Sequence, residues 1–148
     1  MEQDKKIYHE GILIIGPKNF VVRTILALDL IKRLSKSDFT KIKKYLKSIK
    51  YHKTSYMSFE KAQFRVAKPT AFSYLEWYAS TIVHDTHHYY LQYTGKLLWK
   101  KGNMAKHEKL CINEQLRFLK NINAPNSLFK WCKESLKRKH WYKKKRNW

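Results

Sequence analysis

Glycine, proline and cysteine are scarce in this sequence, and each scarcity excludes a class of protein. Four glycines and three prolines in 148 residues are too few for a collagen-like or low-complexity chain. Two cysteines, Cys111 and Cys132, do not make a disulfide framework, and Cys132 is expected to be a buried thiol. The rest of the composition, 43% hydrophobic and 15% aromatic, predicts a globular chain with a single core.

Long apolar runs are also missing. No stretch approaches the roughly 20 residues that a membrane-spanning helix needs. The apolar segment 11–17 follows a charged start and is too short for the core of a signal peptide. We therefore expect a cytoplasmic protein without a transmembrane segment, and export by a route that needs no N-terminal signal stays compatible with the sequence.

Carboxylates are few: 11 Asp and Glu stand against 32 Lys and Arg, for a net charge of +21. This excess favours a polyanionic partner, although a lysine-rich proteome would give the same composition. The C-terminal segment Leu128–Trp148 has nine Lys/Arg, one Glu and interleaved aromatic residues. Nucleic acid or an anionic membrane surface is a possible partner of this basic tail. We favour the alternative interpretation, in which a helix packs Leu128, Trp131 and Leu136 on the domain and ends in a solvated tail without a binding role.

The order of the elements predicts an α+β fold: a helix-dominated single domain with a small β-sheet. Strands are expected over Ile7–Ile15, which a Gly-Pro pair closes, and within Tyr51–Thr70. Helices are expected from about Asn19 to Leu34, from Ser37 to Ile49, from Phe72 to Leu91 or Tyr93, from Met104 to Ile122, and from Asn126 through Leu136. The α+β domain is assigned to residues 1–125, and the C-terminal helix with its basic tail to residues 126–148.

Two histidines four residues apart give the clearest chemical signal. His84 and His88 lie in the longest predicted helix, which lacks Gly and Pro and is apolar on almost every side, so it belongs in the core. Their Cβ atoms are expected to be about 5–6 Å apart on one face. This spacing lets two imidazoles bind one tetrahedral metal ion. His87 leaves an alternative open, because His84 and His87 at i,i+3 can also share an ion.

A third ligand is expected on the helix that follows. On a helical projection, Glu108 falls near the middle of the apolar face that Cys111 and Ile112 define, whereas Glu114 lies toward its edge. A carboxylate that points into a core is costly unless it is paired or bound to a metal. Glu108 is therefore the predicted third ligand, with Glu114 as the alternative. Gln115, on the same stripe as Glu108, is predicted to donate a hydrogen bond to a ligand.

The segment from Trp77 to His88, which contains the string His84-Asp85-Thr86-His87-His88, together with Glu108-Lys109-Leu110-Cys111, resembles the gluzincin-type zinc metallopeptidases. The likeness covers roughly residues 64–119 and indicates one of the small metallopeptidase-like proteins, with a zincin-like two-helix metal site. It implies a Zn²⁺ ion held by His84, His88 and Glu108. Asp85 stands where that family has the glutamate of HExxH, so the motif is HDxxH. The resemblance also implies that the strand around Phe64–Val66 borders the cleft and pairs with an extended substrate, as an edge strand does.

These observations give one leading hypothesis of function and two alternatives. The first is a zinc-dependent metallopeptidase that acts on a peptide or protein substrate, with Asp85 as the general base. Because Asp is one methylene shorter than Glu, its carboxylate reaches less far toward a water on the metal. The second hypothesis is a non-catalytic, metal-containing basic binding protein. The third is a nucleic-acid-binding protein without metal, in which the histidines are core residues.

Overall fold

The computed structural model describes residues 3–138 and confirms the α+β class, with six helices and a small mixed sheet within that range. The strands are β1 Lys5–His9, β2 Ile12–Gly16, β3 Ser48–Tyr51, β4 Tyr56–Ser58 and β5 Gln63–Val66. The helices are α1 Lys18–Leu34, α2 Lys36–Tyr45, α3 Lys68–Ala71, α4 Leu75–Thr94, α5 Met104–Asn121 and α6 Asn126–Arg138. The most basic part of the predicted tail, residues 139–148, lies outside the described residues.

The predicted single strand Ile7–Ile15 is wrong, because this segment forms an antiparallel hairpin of β1 and β2. Glu10 and Gly11 connect the two strands, and both have positive φ, 53° and 82°. Positive φ at both central residues is the mark of a type I′ turn, which matches the twist of the two flanking strands. The apolar run therefore belongs to β2 alone, and its Ile12 and Ile14 side chains are buried in the core.

The sheet has the strand order β1-β2-β3-β5-β4. Its three central strands are parallel, and the antiparallel strands β1 and β4 form the two edges. The expectation that Phe64–Val66 borders the cleft as an edge strand is wrong, because β5 pairs with β3 on one side and with β4 on the other. The strand with a free edge on this side is the three-residue β4.

Helix α4 is the central element of the helical layer. It contacts α1, α2, α3, α5 and the strands β4 and β5. Every residue from Trp77 to His88 is buried, as predicted for a helix that is apolar on almost every side. The helix ends at Gly95, whose φ of 72° supplies a left-handed C-cap. It starts three residues later than predicted, because Phe72 follows the short helix α3.

Helix α6 packs against α5 and the core. Leu128 and Cys132 are buried, and the ring of Trp131 stacks on Trp77 with 4.4 Å between the ring centroids. Burial raises the pKa of the Cys132 thiol to about 12, as expected for a thiol that packs rather than reacts. Within residues 3–138, no helix combines the length and the apolar character that crossing a membrane requires.

Candidate metal centre

The histidine pair of α4 and the glutamate of α5 meet at the interface between these two helices. One carboxylate oxygen of Glu108, Oε1, lies 2.8 Å from Nε2 of His84. The other oxygen, Oε2, lies 3.1 Å from Nε2 of His88. The two Nε2 atoms are 3.2 Å apart. The structure thus brings together the three residues that the sequence singled out as ligands.

All three side chains are withdrawn from solvent. His84, His88 and Glu108 are 0%, 3% and 2% exposed. Burial lowers the pKa of His88, against the opposing influence of the Glu108 carboxylate, so the neutral ring is favoured over the imidazolium. A neutral imidazole and an ionised carboxylate are the forms that bind metal ions.

A chain of hydrogen bonds fixes the tautomer of His84. The Ser80 hydroxyl donates to the Trp77 carbonyl at 2.7 Å, so its oxygen accepts from Nε2 of Gln115 at 2.9 Å. The remaining amide oxygen of Gln115 lies 2.8 Å from Nδ1 of His84. Because that oxygen only accepts, Nδ1 carries the proton and Nε2 presents a lone pair to Glu108. Gln115 therefore contacts a predicted ligand as expected, but as an acceptor and not as a donor.

The donor set suits a small divalent cation. Two imidazole Nε2 atoms and a carboxylate converge, and such a cluster is repulsive unless a proton or a cation lies among them. In a tetrahedral site with bonds of about 2.1 Å, neighbouring donors are about 3.4 Å apart. The separations of 2.8, 3.1 and 3.2 Å are shorter than that value by about 0.2 to 0.6 Å. Nitrogen and oxygen donors in this number fit zinc and related ions.

His107 is a member of the site that was not among the predicted ligands. Its Nδ1 lies 2.7 Å from Nδ1 of His88, and the two rings are stacked, with centroids 4.9 Å apart. His88, His107 and Cys111 also form a second buried group whose possible ligand atoms lie within 4.8 Å of one another. The signal was available, because His107 and Cys111 have the same i,i+4 spacing as His84 and His88. With Nε2 of His88 turned toward Glu108, the contact with His107 orients the ring from its other nitrogen.

Asp85, the predicted general base, lies beside the histidine pair. The side chain is fully buried. One of its carboxylate oxygens forms a group with ring nitrogens of His84 and His88 in which all atoms lie within 4.8 Å of one another. The carboxylate is therefore close enough to act on a molecule bound next to these rings, through direct contact or through one water.

His87 faces away from this centre. Its Nδ1 lies 2.6 Å from Nζ of Lys41 on α2, and its ring stacks on Tyr90. Burial, reinforced by the Lys41 charge, lowers the pKa of His87 to about 3. Burial also lowers the pKa of Lys41. A lysine ammonium beside the ring repels a metal ion, so the geometry favours His88 over His87 as the partner of His84.

Glu114, the alternative third ligand, belongs to a different network. Its Oε2 accepts hydrogen bonds from Arg117 at 2.6 and 2.9 Å. Arg117 also binds both carboxylate oxygens of Asp38 on α2, at 2.6 and 3.2 Å. The Glu114 carboxylate is thereby engaged in an ion pair near the surface, and Glu108 is the carboxylate that meets the histidines.

A cavity of about 180 Å³ adjoins the centre. It is lined by Tyr56 and Met57 of β4, by Phe59, by His88 and by Trp99 of the connection between α4 and α5. The Trp99 ring contacts both His88 and His107 edge-on, with centroids 5.4 and 5.2 Å away. The backbone N–H of Trp99 donates to the side chain of Gln92 at 2.7 Å, which ties this connection to α4. The walls of the cavity are mainly aromatic and apolar, and His88 is the member of the centre that reaches it.

The chain matches no known family model, and no curated protein or solved structure is significantly similar to it. The gluzincin resemblance therefore depends on its short motifs alone.

Proposed function

We propose that the protein is a zinc-dependent metallopeptidase in which His84, His88 and Glu108 hold the metal ion. The observation that carries the proposal is the convergence of the two imidazole Nε2 atoms on one buried carboxylate at the interface between α4 and α5. A buried arrangement of this kind costs free energy unless a proton or a cation compensates it. The contact of Gln115 with His84 and that of His107 with His88 support the proposal, because each holds a ligand ring in a defined orientation.

Zn²⁺ bound at this position would polarise a carbonyl group and lower the pKa of a water molecule. The side chains around the ion would orient the ligands, exclude bulk water and accept the proton that the water molecule loses. Asp85 is the proposed proton acceptor, since one of its carboxylate oxygens lies within 4.8 Å of ring nitrogens of His84 and His88. Burial of the ligands strengthens each of these electrostatic contacts.

An extended peptide is the substrate that the surroundings of the centre favour. Strand β4 is an edge strand, and its free backbone groups can pair with an added strand. Tyr56 and Met57 of β4 line the cavity next to His88. A peptide lying along β4 would direct a side chain into this cavity, whose aromatic and apolar lining suits a bulky apolar residue.

Metal content tests the first part of the proposal. Elemental analysis of the purified protein should give about one zinc per chain. The variants His84→Ala and Glu108→Gln should lose it. The matched controls His87→Ala and Glu114→Gln change the same residue types on the same helices and should retain it. A protein that takes up no transition metal even after reconstitution contradicts the proposal.

Cleavage tests the second part. With a library of quenched peptides, we expect cleavage next to bulky apolar residues, at a rate that falls at least about 100-fold in Asp85→Asn. Asp85→Glu, which keeps the carboxylate, should retain cleavage, and both variants should keep their zinc. Equal cleavage by the wild type and Asp85→Asn would exclude Asp85 as the base.

A second candidate function is a non-catalytic metal-containing binding protein. It is favoured by the nearly complete burial of the three ligands, because structural metal sites are closed whereas catalytic ones keep an open position. The two candidates differ in one result. Stoichiometric zinc without cleavage of any library peptide supports the binding protein.

A further inference from the structure

Four tyrosines from two helices form a surface cluster on the α2 side of α4. Tyr45 at the end of α2 contacts Tyr89, Tyr90 and Tyr93 of α4, with ring centroids 6.5, 5.3 and 6.1 Å away. Tyr89 and Tyr93 stack on each other at 5.5 Å. Tyr93 is 69% exposed and the other three are partly exposed. Aromatic rings in such number on a surface call for an explanation, since large apolar groups usually cluster there only to bind something.

Three lysines accompany these rings. Nζ of Lys41 lies 4.7 Å and Nζ of Lys96 5.0 Å from the centroid of the Tyr90 ring. Nζ of Lys44 lies 5.3 Å from the Tyr45 ring. Lys96 also donates a hydrogen bond to the Tyr90 hydroxyl. We call Tyr45, Tyr89, Tyr90, Tyr93, Lys41, Lys44 and Lys96 the Lys–Tyr patch.

The positive charge of the patch is not cancelled by the carboxylates next to it. Asp38 and Glu114 are the acidic groups that act on Lys41, and both are bound by Arg117. The patch therefore presents lysine ammonium groups beside one exposed and three partly exposed tyrosine rings. Its charge adds to the net charge of +21 of the whole chain, which attracts polyanions from a distance.

We propose that the Lys–Tyr patch binds single-stranded nucleic acid. Unpaired bases stack on aromatic rings irrespective of sequence, while lysines contact the phosphates between them. A lysine within about 5 Å of a tyrosine ring offers both contacts to one nucleotide. A folded acidic protein would use the charges but not the exposed parts of several aromatic rings, and a duplex hides its bases from stacking.

The patch is distinct from the candidate metal centre, although both use α4. His84 and His88 face α5 through Glu108, whereas Tyr90 and the neighbouring His87 face α2 through Lys41. Binding at the patch thus needs neither the metal nor the cavity, and its test is independent of the proposed peptidase activity.

The test is the fluorescence anisotropy of a labelled oligothymidylate of about 20 nucleotides, titrated with the full chain at several salt concentrations. Tyr45→Leu combined with Tyr93→Leu keeps every charge and should raise the Kd about tenfold or more, with the salt slope unchanged. Lys44→Gln combined with Lys96→Gln should reduce the slope of log K against log salt by about 1.4. Lys106→Gln combined with Lys109→Gln makes the same charge change on α5 and should leave the slope nearly unchanged. An unaltered melting temperature and circular dichroism spectrum identify variants that are folded.

The position of contact is tested by photocrosslinking with an oligonucleotide that carries 5-iodouracil. We expect crosslinks at Tyr45 or Tyr93. Crosslinks confined to Trp141, Tyr142 or Trp148 would overturn the proposal, and so would a tyrosine double variant that binds like the wild type. If the tyrosine double variant binds the oligonucleotide like the wild type but no longer binds vesicles containing phosphatidylserine, the patch is a membrane-binding surface and the proposal is wrong.

Discussion

The amide oxygen of Gln115 lies 2.8 Å from Nδ1 of His84, and this contact decides which nitrogen of the ring faces Glu108. It joins the two helices of the candidate centre through a residue that would not itself bind a metal. The proton that it places on Nδ1 leaves Nε2 ready to act as a ligand.

We therefore expect Gln115→Leu to weaken zinc binding by about 10- to 100-fold, because the ring loses the acceptor that orients it. Competition with a chromophoric chelator measures the affinity. Gln63→Leu is the matched control, since Gln63 is also buried and hydrogen-bonded, to Ser48, but lies in the sheet. An affinity for zinc that is unchanged in Gln115→Leu would show that the contact has no orienting role.

Metal removal should lower the stability of the wild type. A ligand at 100 times its Kd stabilises the folded state by about 2.7 kcal/mol, so prolonged treatment with a chelator should reduce the melting temperature by several degrees. The melting temperature of Glu108→Gln should not respond, because that variant has no zinc to lose. A chelator effect of equal size in both proteins would mean that the ion binds elsewhere.

Acid should destabilise the metal-free protein. Burial and the neighbouring Lys41 hold the pKa of His87 at about 3, against 6.5 in the unfolded chain. Between these two values the unfolded state binds a proton that the folded state does not, so stability is full above pH 6.5 and is lost as the pH falls below it. The loss is up to about 1.4 kcal/mol per pH unit in this window.

Urea unfolding of the metal-free protein at pH 7.5, 6 and 5 measures this loss. His87→Gln keeps an acceptor for Lys41 but cannot titrate, so its stability should decline less between pH 7.5 and 5. Parallel declines in the two proteins would assign the acid sensitivity to other groups, such as His107, whose pKa burial lowers to about 4.

Replacing Arg117 should destabilise the fold and leave the metal centre intact. Asp38 is buried and accepts hydrogen bonds from Ser35 and Arg117. Removing the guanidinium leaves this carboxylate with an unsatisfied acceptor, which costs about 1–3 kcal/mol. We expect the low end of that range for Arg117→Met, because Arg117 is 40% exposed and solvent screens the pair. Zinc content should stay unchanged, and Arg33→Met, on the surface of α1, should alter stability little.

Much of the helical framework could be predicted from local signals. Apolar residues on almost every side of α4 predicted a buried helix, and Gly95 marked its end. The helical projection of α5 placed Glu108 on the apolar face and Glu114 toward its edge. It thereby distinguished a carboxylate in the core from one near the surface. These inferences worked because helical periodicity is a property of neighbouring residues.

The sheet could not be derived in the same way. The interior position of β5 depends on pairing with β3 and β4, and such non-local contacts leave little trace in four residues. The Glu10-Gly11 turn was overlooked because apolar residues on both sides of it read as one strand. The contacts of His107 and Lys41 could not be predicted for a related reason: each residue has its partner on another helix, His88 for the first and His87 for the second.

The burial of His84, His88 and Glu108 has a kinetic consequence. A chelator in solution cannot touch an ion held among these side chains until the surrounding structure opens locally. The rate of release should then follow the opening rate of the protein and become independent of chelator concentration once the chelator is in excess. The segment around Trp99, which covers His88 from the cavity side, is the nearest part of the chain whose displacement would set that rate.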